Sequence, residues 1–215
     1  MADTVSVMPV GADSIASWDA ETDVIVVGLG CAGVCTALGA VEAGADVIAL
    51  ERAGAGGGTS AMAGGAIYLG GGTPVQKACG FDDTPEDMFR FLMAACGPDV
   101  DEAKVSMYCE GSLDHYHWLV DHGVPFKLSF HQEPVYEILT DDGLQYSGGE
   151  AAWPFCEIAN PAPRGHFPQV EKRSGGLLME RLLDALAHTP AEIRLDTSVA
   201  RLVVDDAGRV VGVIA

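Results

Sequence analysis

The chain has 215 residues, 48% of them hydrophobic and 20% charged, a balance typical of globular α/β proteins that argues against general disorder. It carries 31 acidic and 12 basic side chains, a net charge of −19, so phosphate backbones and anionic lipid surfaces would repel it. We therefore expect neither a nucleic acid partner nor peripheral membrane binding. Residues 1–20 lack the basic and apolar regions of a signal peptide. Glycines, Glu42 and Asp46 interrupt the apolar stretch at 24–50, so we expect no membrane insertion either.

The cysteines and histidines show no pattern of a disulfide framework or a metal centre. None of the six cysteines belongs to a C-x-x-C motif; they are Cys31, Cys35, Cys79, Cys96, Cys109 and Cys156. We interpret them as reduced packing residues of a cytoplasmic protein. His115, His117 and His122 are close in sequence, but residues two apart point to different faces of a helix, so we expect no metal site.

The segment from Asp23 to Arg52 carries the strongest functional signal. An apolar run at 24–27 precedes the motif Gly28-Leu29-Gly30-Cys31-Ala32-Gly33. A helix of small residues from Val34 to Ala43 follows, and then a second apolar run at 47–50 that ends in Glu51. This order of strand, G-x-G-x-x-G turn, helix, strand and acid predicts a dinucleotide-binding unit.

Each residue of this pattern has a physical role in the prediction. Gly28 permits a tight turn, Gly30 lets the backbone approach a pyrophosphate, and Gly33 lets helix and strand pack closely. The phosphates would bind N–H groups at the helix N-terminus, where the helix dipole favours an anion. Glu51 would accept hydrogen bonds from the hydroxyl groups of a ribose.

A glycine-rich run follows from Ala53 to Thr73. Such a composition is usually found in a flexible linker. Because this run also contains apolar residues and directly follows Glu51, we interpret it as backbone that wraps closely around a flat ligand and binds it through N–H groups.

Two helices are predicted after this run. The first starts at Thr84 as N-cap with Pro85 at the first helical position, and it ends at Gly97-Pro98. Its buried face should hold Phe89, Leu92, Met93 and Cys96. The second should run without a break from about Asp101 to Asp121. Its inner side should hold Val105, Tyr108, Cys109, Leu113, Tyr116, Leu119 and Val120.

Residues 124–173 lack clean periodicity and are interpreted as an irregular, partly β excursion inserted into the nucleotide fold. A third helix opens at Gly175-Gly176, with Met179, Leu182, Leu183 and Leu186 facing inward. Residues 193–197 should then form a short strand of the parallel sheet. Residues 199–204 and 209–214 should form a β-hairpin with Gly208 in its turn.

Together these elements predict an α/β fold with a doubly wound, parallel, Rossmann-like domain. Residues 1–22 are expected to be a flexible leader, and 23–215 to be the N-terminal part of the domain, with a substrate-side segment at about 124–173. The chain stops at Ala215, at the end of the hairpin. We therefore expect a fragment of a longer protein, cut before the sheet closes.

Several of these motifs resemble one family, the FAD-dependent oxidoreductases typified by the fumarate reductase flavoprotein and the 3-ketosteroid dehydrogenases. The shared motifs are the Asp23–Gly33 fingerprint, Glu51-Arg52 and the Gly57–Gly65 stretch. Residues 68–76, Trp153-Pro154-Phe155 and 161–166 look most like the branch that desaturates ring A of 3-ketosteroids at C4–C5. The resemblance covers residues 22–215, or roughly the first 40% of a typical member.

This resemblance implies FAD as the cofactor and a set of binding residues. Gly28, Gly30, Cys31, Ala32 and Gly33 would meet the pyrophosphate, Glu51 the adenosine ribose, and Arg52 the outside of that pocket. The backbone of Ala200 would meet the adenine. The residues along the ribityl chain and flavin would be Gly58, Thr59, Ser60, Ala63, Gly64 and Gly65. Ala63 departs from the pattern, because many relatives have serine there, and the change removes a hydroxyl group near the flavin.

The implied reaction oxidises a C–C bond beside a ketone. A base removes the acidified α-proton while a hydride leaves the β-carbon for the flavin. The resemblance places the groups that do this proton work beyond Ala215, so the catalytic residues stay unknown and this chain is expected to lack them. Tyr136 and Tyr146 could face the substrate, but aromatic residues in such loops more often serve packing. The electron acceptor is not indicated.

Three rival interpretations stay open on sequence alone. A fumarate reductase or succinate dehydrogenase-type flavoprotein would share the FAD motifs and act on a dicarboxylate. An NAD(P)-dependent reductase would share the fingerprint but has no need of the Thr59–Gly65 loop. An inactive remnant would bind FAD poorly or not at all.

Overall fold

The computed structural model describes residues 8–133, 135 and 138–215. The described residues up to Gly58 form one compact unit together with Leu183–Ala215, and those from Thr59 to Leu182 form a second. The strands are β1 (Val10–Gly11), β2 (Val24–Val27), β3 (Val47–Leu50), β4 (Ile67–Tyr68), β5 (Leu144–Gln145), β6 (Gly165–His166), β7 (Glu192–Arg194), β8 (Arg201–Val204) and β9 (Val210–Ile214). The α-helices are α1 (Cys31–Glu42), α2 (Pro74–Ala78), α3 (Pro85–Ala95), α4 (Glu102–Glu110), α5 (Ser112–Asp121), α6 (Phe155–Ile158) and α7 (Ser174–Ala187). Two short 3₁₀ helices lie at Ala12–Ser14 and Gly58–Met62.

A parallel sheet of order β2-β3-β7 organises the first unit. Val24 pairs with Val47, and Ile48 with Glu192. All four residues of β3 are buried, which explains why this central strand is a continuous apolar run rather than an alternating one. The α/β class, the two strands around the glycine turn and the return of a strand near residue 193 are confirmed. Helix α1 begins at Cys31, three residues before the predicted start.

A second sheet of the same unit has the order β1-β8-β9. The predicted hairpin is present as β8 and β9, with Gly208 at φ +76° in its turn. The turn is held by Asp205, whose Oδ1 accepts the N–H groups of Ala207 and Arg209.

The structure differs from the expected leader at 1–22. Strand β1 pairs in parallel with β8, and a Cβ on Gly212 would collide with the Trp18 ring. Within the residues that the structure describes, regular structure therefore begins at Val10 rather than near Thr22, because the hairpin offers an edge that this segment covers; residues 1–7 of the expected leader lie outside the described residues.

The second unit contains a small antiparallel sheet of order β4-β6-β5. Its strands come from the glycine-rich run and from residues 124–173, so the prediction that this excursion is irregular and partly β is confirmed. The predicted N-cap of α3 is also confirmed, since Thr84 Oγ1 accepts the N–H of Asp87 at 3.0 Å.

The predicted buried face of α3 is wrong. Met88 and Phe91 are the buried residues, whereas Phe89, Leu92 and Met93 are half-buried and Cys96 is exposed. Phe91 is drawn inward because its ring packs against Phe155 and Tyr68, at centroid distances of 5.4 and 6.4 Å. These partners come from distant parts of the sequence.

The predicted continuous helix from Asp101 to Asp121 is also wrong, because the chain breaks at Gly111 into α4 and α5. Glycine is a poor helix residue. The next residue, Ser112, is buried, and its hydroxyl oxygen accepts a hydrogen bond from the N–H of Gly70 at 2.9 Å. Of the predicted inner residues, Cys109, Tyr116 and Leu119 are buried, whereas Tyr108 and Val120 are exposed.

In the part of the chain that the structure describes, no helix has the length and apolar character needed to cross a membrane.

Candidate cofactor site

The glycine turn between β2 and α1 has the geometry that the sequence predicts. Gly28 has φ +91°, a conformation that side chains disfavour, and its N–H donates to Leu50 O at 2.7 Å. A Cβ on Gly33 would collide with the carbonyl oxygen of Gly28 and lie 3.3 Å from Val26 Cγ1. Two of the three motif glycines are therefore required by the turn itself.

The N-terminus of α1 has the electrostatic character that suits an anion. Gly30 is the N-cap and makes no side-chain capping bond, and the first helical turn contains no acidic residue. The first N–H groups of a helix have no partner within the helix, and the helix dipole places partial positive charge on them. A pyrophosphate at this position would accept hydrogen bonds from these N–H groups, and the helix dipole would stabilise its negative charge.

Cys31 and Cys35 stand one helical turn apart on α1, and both thiols are half-buried. The Cys35 thiol donates to Cys31 and lowers the pKa of Cys31 to about 6, although burial opposes this. The same interaction and burial raise the pKa of Cys35. The helix dipole at Cys31 favours this order of ionisation.

The Glu51 carboxylate joins the end of β3 to the glycine turn. Its Oε2 accepts the N–H of Leu29 at 2.8 Å, and its Oε1 accepts the N–H of Ala53 at 2.9 Å. These bonds hold the pKa of Glu51 below its usual value. Each oxygen keeps a further lone pair, so the carboxylate can accept additional hydrogen bonds.

Ala200 lies just before β8 and is exposed. Its N–H donates to Ile214 O at 2.7 Å inside the hairpin, so a backbone contact with an adenine would use its carbonyl group.

In the second unit, the loop 60–65 packs directly on the start of α7. Gly65 has φ +79°, and a Cβ there would collide with Ser174 and the nitrogen of Gly175. A Cβ on Gly175 would in turn collide with the Ala63 oxygen and lie 2.7 Å from the Ser60 oxygen. Nothing in the sequence pattern connects these two segments, although both contain a glycine pair.

The N–H groups of Gly70, Gly71 and Gly72 do not bind a ligand as the sequence analysis proposed for this run. They donate to Ser112 Oγ, Asp83 Oδ2 and Gln76 Oε1 at 2.9, 3.0 and 3.1 Å. The expectation is wrong for this part of the run because internal side chains already satisfy its backbone.

A buried ion pair anchors that segment. Arg164 Nη2 lies 2.6 Å from Asp83 Oδ1, its Nε lies 3.0 Å from Oδ2, and both side chains are fully buried. Gln76 Nε2 also donates to Asp83 Oδ2 at 2.9 Å. Burial alone would lower the pKa of Arg164, but the bonds to Asp83 raise it above its usual value. No local sequence pattern predicts this pair, since its members are 81 residues apart.

His166 is buried beside this pair in its neutral form. Its Nδ1 lies 3.1 Å from the Arg164 carbonyl oxygen, which can only accept, so Nδ1 carries the proton. Its Nε2 then accepts from Thr73 Oγ1 at 2.8 Å. Burial lowers the pKa of His166 to about 4.

Tyr146 belongs to an aromatic cluster with Phe81 and Phe130, at ring distances of 6.1 and 5.8 Å. Burial raises the pKa of its hydroxyl group. This environment favours the packing role over the catalytic one. Tyr136 lies outside the described residues.

Residues 23–215 match the family model described as FAD binding domain. The chain belongs to this family. The resemblance stated from the sequence motifs, and FAD as the cofactor of the family, are thereby confirmed.

The chain is similar to two steroid dehydrogenases and to a probable fumarate reductase. The crystal structure of 3-ketosteroid-delta4-(5alpha)-dehydrogenase from Rhodococcus jostii RHA1 in complex with 4-androstene-3,17-dione is 55% identical, with TM-score 0.93 over 97% of this chain and 44% of that one. The 3-oxo-5-alpha-steroid 4-dehydrogenase of Comamonas testosteroni is 30% identical over 96% of this chain and 39% of its own length. The probable fumarate reductase Ifc3 of Shewanella frigidimarina is 31% identical over 94% of this chain and 30% of its own length. The chain thus spans less than half the length of these relatives.

The described residues of the FAD binding domain fit the cofactor at two points. The uncapped N-terminus of α1 suits a pyrophosphate, and the remaining lone pairs of Glu51 suit ribose hydroxyl groups. The structure brings Glu51 and the glycine turn together through the Leu29 N–H. The individual FAD-binding residues nevertheless stay predictions.

Proposed function

We propose that the protein containing this chain is an FAD-dependent oxidoreductase that removes two hydrogens across C4–C5 of a 3-ketosteroid. The observation that carries the proposal is the 55% identity with the Rhodococcus 3-ketosteroid dehydrogenase over 97% of this chain. The probable fumarate reductase reaches 31%. Since this chain spans 44% of the dehydrogenase, the proposal concerns the complete protein.

Within the first unit, we assign the adenosine and pyrophosphate half of FAD to the residues around the glycine turn. The N-terminus of α1 would hold the pyrophosphate, and Glu51 the ribose. Arg52 would lie outside that pocket and Ala200 would present its carbonyl group to the adenine. The pyrophosphate set is Gly28, Gly30, Cys31, Ala32 and Gly33.

For the flavin half, we assign Gly58 and the loop that follows it along the chain. The packing of loop 60–65 on α7 supports a fixed backbone there, because Gly65 and Gly175 leave no room for side chains. The residues concerned are Thr59, Ser60, Ala63, Gly64 and Gly65. When bound, FAD would supply the hydride acceptor.

No described residue is assigned as the catalytic base or as the acid that polarises the ketone. Tyr146 is kept as a packing residue because Phe81 and Phe130 surround it. The substrate is proposed as a steroid-like ketone, with a dicarboxylate as the alternative, and we propose neither a nucleic acid partner nor membrane insertion. A cytoplasmic location is part of the proposal and rests on the cysteine spacing, which shows no disulfide framework.

The test is anaerobic mixing of the complete, FAD-loaded protein with the saturated 3-ketosteroid that yields 4-androstene-3,17-dione. We expect loss of the oxidised flavin absorbance together with formation of the enone. An unchanged flavin spectrum at saturating steroid would contradict the proposal.

A fumarate reductase-type reaction is the second candidate, because the probable fumarate reductase aligns over 94% of this chain. It is tested in the same apparatus, with chemically reduced protein and fumarate. Reoxidation of the flavin by fumarate, without any response to steroid, would favour this candidate.

A further inference from the structure

We propose that Gly175, the second residue of α7, is a positioning residue for the flavin half of FAD. Because Gly175 has no side chain, α7 can approach the backbone of loop 60–65 and fix the direction in which the peptide groups of that loop point. The inference deepens the proposed function and rests on the assignment of this loop to the flavin. The contact between Gly175 and the loop is a feature of the structure itself.

The contact is made by backbone atoms on both sides. A Cβ on Gly175 would collide with the carbonyl oxygen of Ala63, and it would lie 2.7 Å from the oxygen of Ser60. Carbon atoms that are not bonded to each other reach their optimal separation at about 3.5–4.0 Å. A carbonyl group of the backbone cannot rotate away as the end of a flexible side chain can. A side chain at position 175 would therefore displace the loop or the helix by roughly 1 Å.

The loop approaches the helix equally closely from its own side. Gly65 has φ +79°, and a Cβ there would collide with the nitrogen of Gly175 and lie 2.6 Å from Ser174 Cβ. Glycine is thus required on both sides of the contact. A contact that leaves no room for a Cβ on either partner fixes the distance between them.

The loop is the partner that would move. Ser174, Met179 and Leu182 of α7 are buried, so close packing holds the helix in place. Met62 and Ala63 of the loop are exposed and have fewer neighbours to resist a displacement. A side chain at position 175 would therefore act mainly on loop 60–65.

The contact also sets the direction of one peptide group. Among the residues that the structure describes, only the bond between Trp153 and Pro154 is cis, so the Ala63–Gly64 peptide is trans. The C=O and N–H groups of a trans peptide point in opposite directions. Since the Ala63 oxygen faces Gly175, the N–H of Gly64 points away from α7. Helix α7 thus holds the carbonyl side of the loop and leaves this donor directed to the other side.

A displaced loop would bind the flavin half of FAD less well. Hydrogen bonds weaken steeply when donor and acceptor are misaligned, and a shift of about 1 Å is enough to misdirect a donor. The adenosine half is assigned to the glycine turn between β2 and α1, which Gly175 does not contact. A side chain at position 175 should therefore affect the flavin half alone.

The test compares Gly175→Ala with Gly176→Ala in the complete protein. The two variants add the same methyl group to neighbouring residues of α7, but a Cβ on Gly176 would lie 3.5 Å from the Ala61 oxygen, an ordinary contact. Alanine is a better helix residue than glycine at both positions. The difference between the variants therefore reports the contact with loop 60–65.

Affinity is measured for FAD and for ADP, which has the adenosine and the pyrophosphate without the ribityl chain and the flavin. Gly175→Ala should weaken FAD binding by about tenfold or more and leave ADP binding unchanged, whereas Gly176→Ala should change neither. The absorbance bands of the bound flavin should shift in Gly175→Ala alone. Equal FAD affinity and equal spectra in the two variants would overturn the proposal. An equal loss for FAD and ADP would also overturn it, because a general loss of folding would then explain the effect.

Amide hydrogen exchange decides the remaining cases. If Gly175→Ala does not fold, the unsubstituted protein is used, and FAD but not ADP should slow exchange in both loop 60–65 and the first turn of α7. Slower exchange in the loop alone would overturn the proposal. If the unsubstituted protein does not bind FAD, the proposed function fails. The ligand-free variants then decide the role of Gly175, since loop 60–65 should exchange faster in Gly175→Ala than in Gly176→Ala, and equal exchange would overturn it.

Discussion

The carboxylate of Glu51 accepts the N–H of Leu29, 22 residues earlier in the chain, at 2.8 Å. Leu29 stands between the first two motif glycines, so the acid at the end of β3 is bonded to the turn that follows β2. Glu51 is therefore more than a strand end facing solvent. It supports the glycine turn and is also available to a ribose.

The substitution Glu51→Ala removes a charged acceptor, an interaction of about 1.5–3 kcal/mol. We expect FAD affinity to fall by about one to two decades, as measured by fluorescence titration. The ligand-free protein should also lose stability, because the N–H groups of Leu29 and Ala53 lose their acceptor.

The matched control is Glu21→Gln, which also removes one negative charge, at an exposed position. It should leave FAD affinity unchanged. If the Glu51→Ala protein is destabilised but binds FAD with normal affinity, Glu51 only stabilises the glycine turn, and the proposed hydrogen bonds to the ribose are wrong.

Two glycine substitutions on α1 should have opposite effects. Gly33→Ala places a Cβ against the Gly28 carbonyl, whereas Gly39→Ala meets no atom within 4 Å. Gly39→Ala should stabilise the protein by about 0.5–1 kcal/mol, since alanine is the better helix residue. Gly33→Ala should abolish FAD binding and destabilise the turn. Equal FAD affinity in both variants, measured side by side, would contradict the close packing at Gly33.

Breaking the buried ion pair should be costly. Asp83→Leu leaves the Arg164 charge buried without its partner, and we expect about 3–5 kcal/mol of destabilisation in urea unfolding. The double variant Asp83→Leu/Arg164→Met should recover part of this loss, because no buried charge remains. It should not recover all of it, since Gly71 and Gln76 also lose an acceptor.

A surface pair provides the control for this experiment. Glu86→Gln weakens the exposed contact with Arg90 at 3.4 Å and should cost less than about 1 kcal/mol. If the Asp83→Leu single variant were as mild, the pair would not be buried as described.

Acid should weaken the second unit through His166. Its pKa is lowered from 6.5 to about 4, so the unfolded chain takes up a proton before the folded one as pH falls. The stabilisation is present above pH 6.5 and is lost between about 6.5 and 4, with about 2 kcal/mol gone at pH 5. Urea unfolding at pH 7 and 5 measures this loss, and Trp118 and Trp153 report on this unit.

The His166→Gln variant has no titrating imidazole and should lose that part of the pH dependence. An NMR titration of His166 with a midpoint near 6.5 would contradict the buried neutral form.

Local patterns predicted the first unit well. The apolar runs of β2 and β3, the G-x-G-x-x-G turn and the hairpin around Gly208 depend on interactions between residues near in sequence. Their spacing and glycine positions are therefore visible in the chain itself.

The errors arose where distant residues decide the outcome. The buried face of α3 turns toward Phe91 because Phe155, 64 residues later, packs there. The helix breaks at Gly111, directly before Ser112, whose hydroxyl oxygen accepts a hydrogen bond from the N–H of Gly70. Helical periodicity alone contains neither partner.

In the candidate site, too, local features could be predicted from the sequence and contacts between distant residues could not. The roles of Gly28 and Gly33 follow from the motif, and the structure supplies the matching geometry. The bonds of Gly70, Gly71 and Gly72 depend on Asp83, Gln76 and Ser112, which no glycine motif specifies. A glycine-rich run therefore could not reveal which of its N–H groups are already satisfied.

The central claim is that the Asp23–Arg52 segment serves FAD, and a fluorescence titration with three ligands tests it most directly. FMN has the flavin without the adenosine half, and NADH has the adenosine half without the flavin. We expect FAD to bind, and FMN and NADH to bind at least tenfold more weakly. NADH binding with micromolar affinity to a protein that does not bind FAD would contradict the claim.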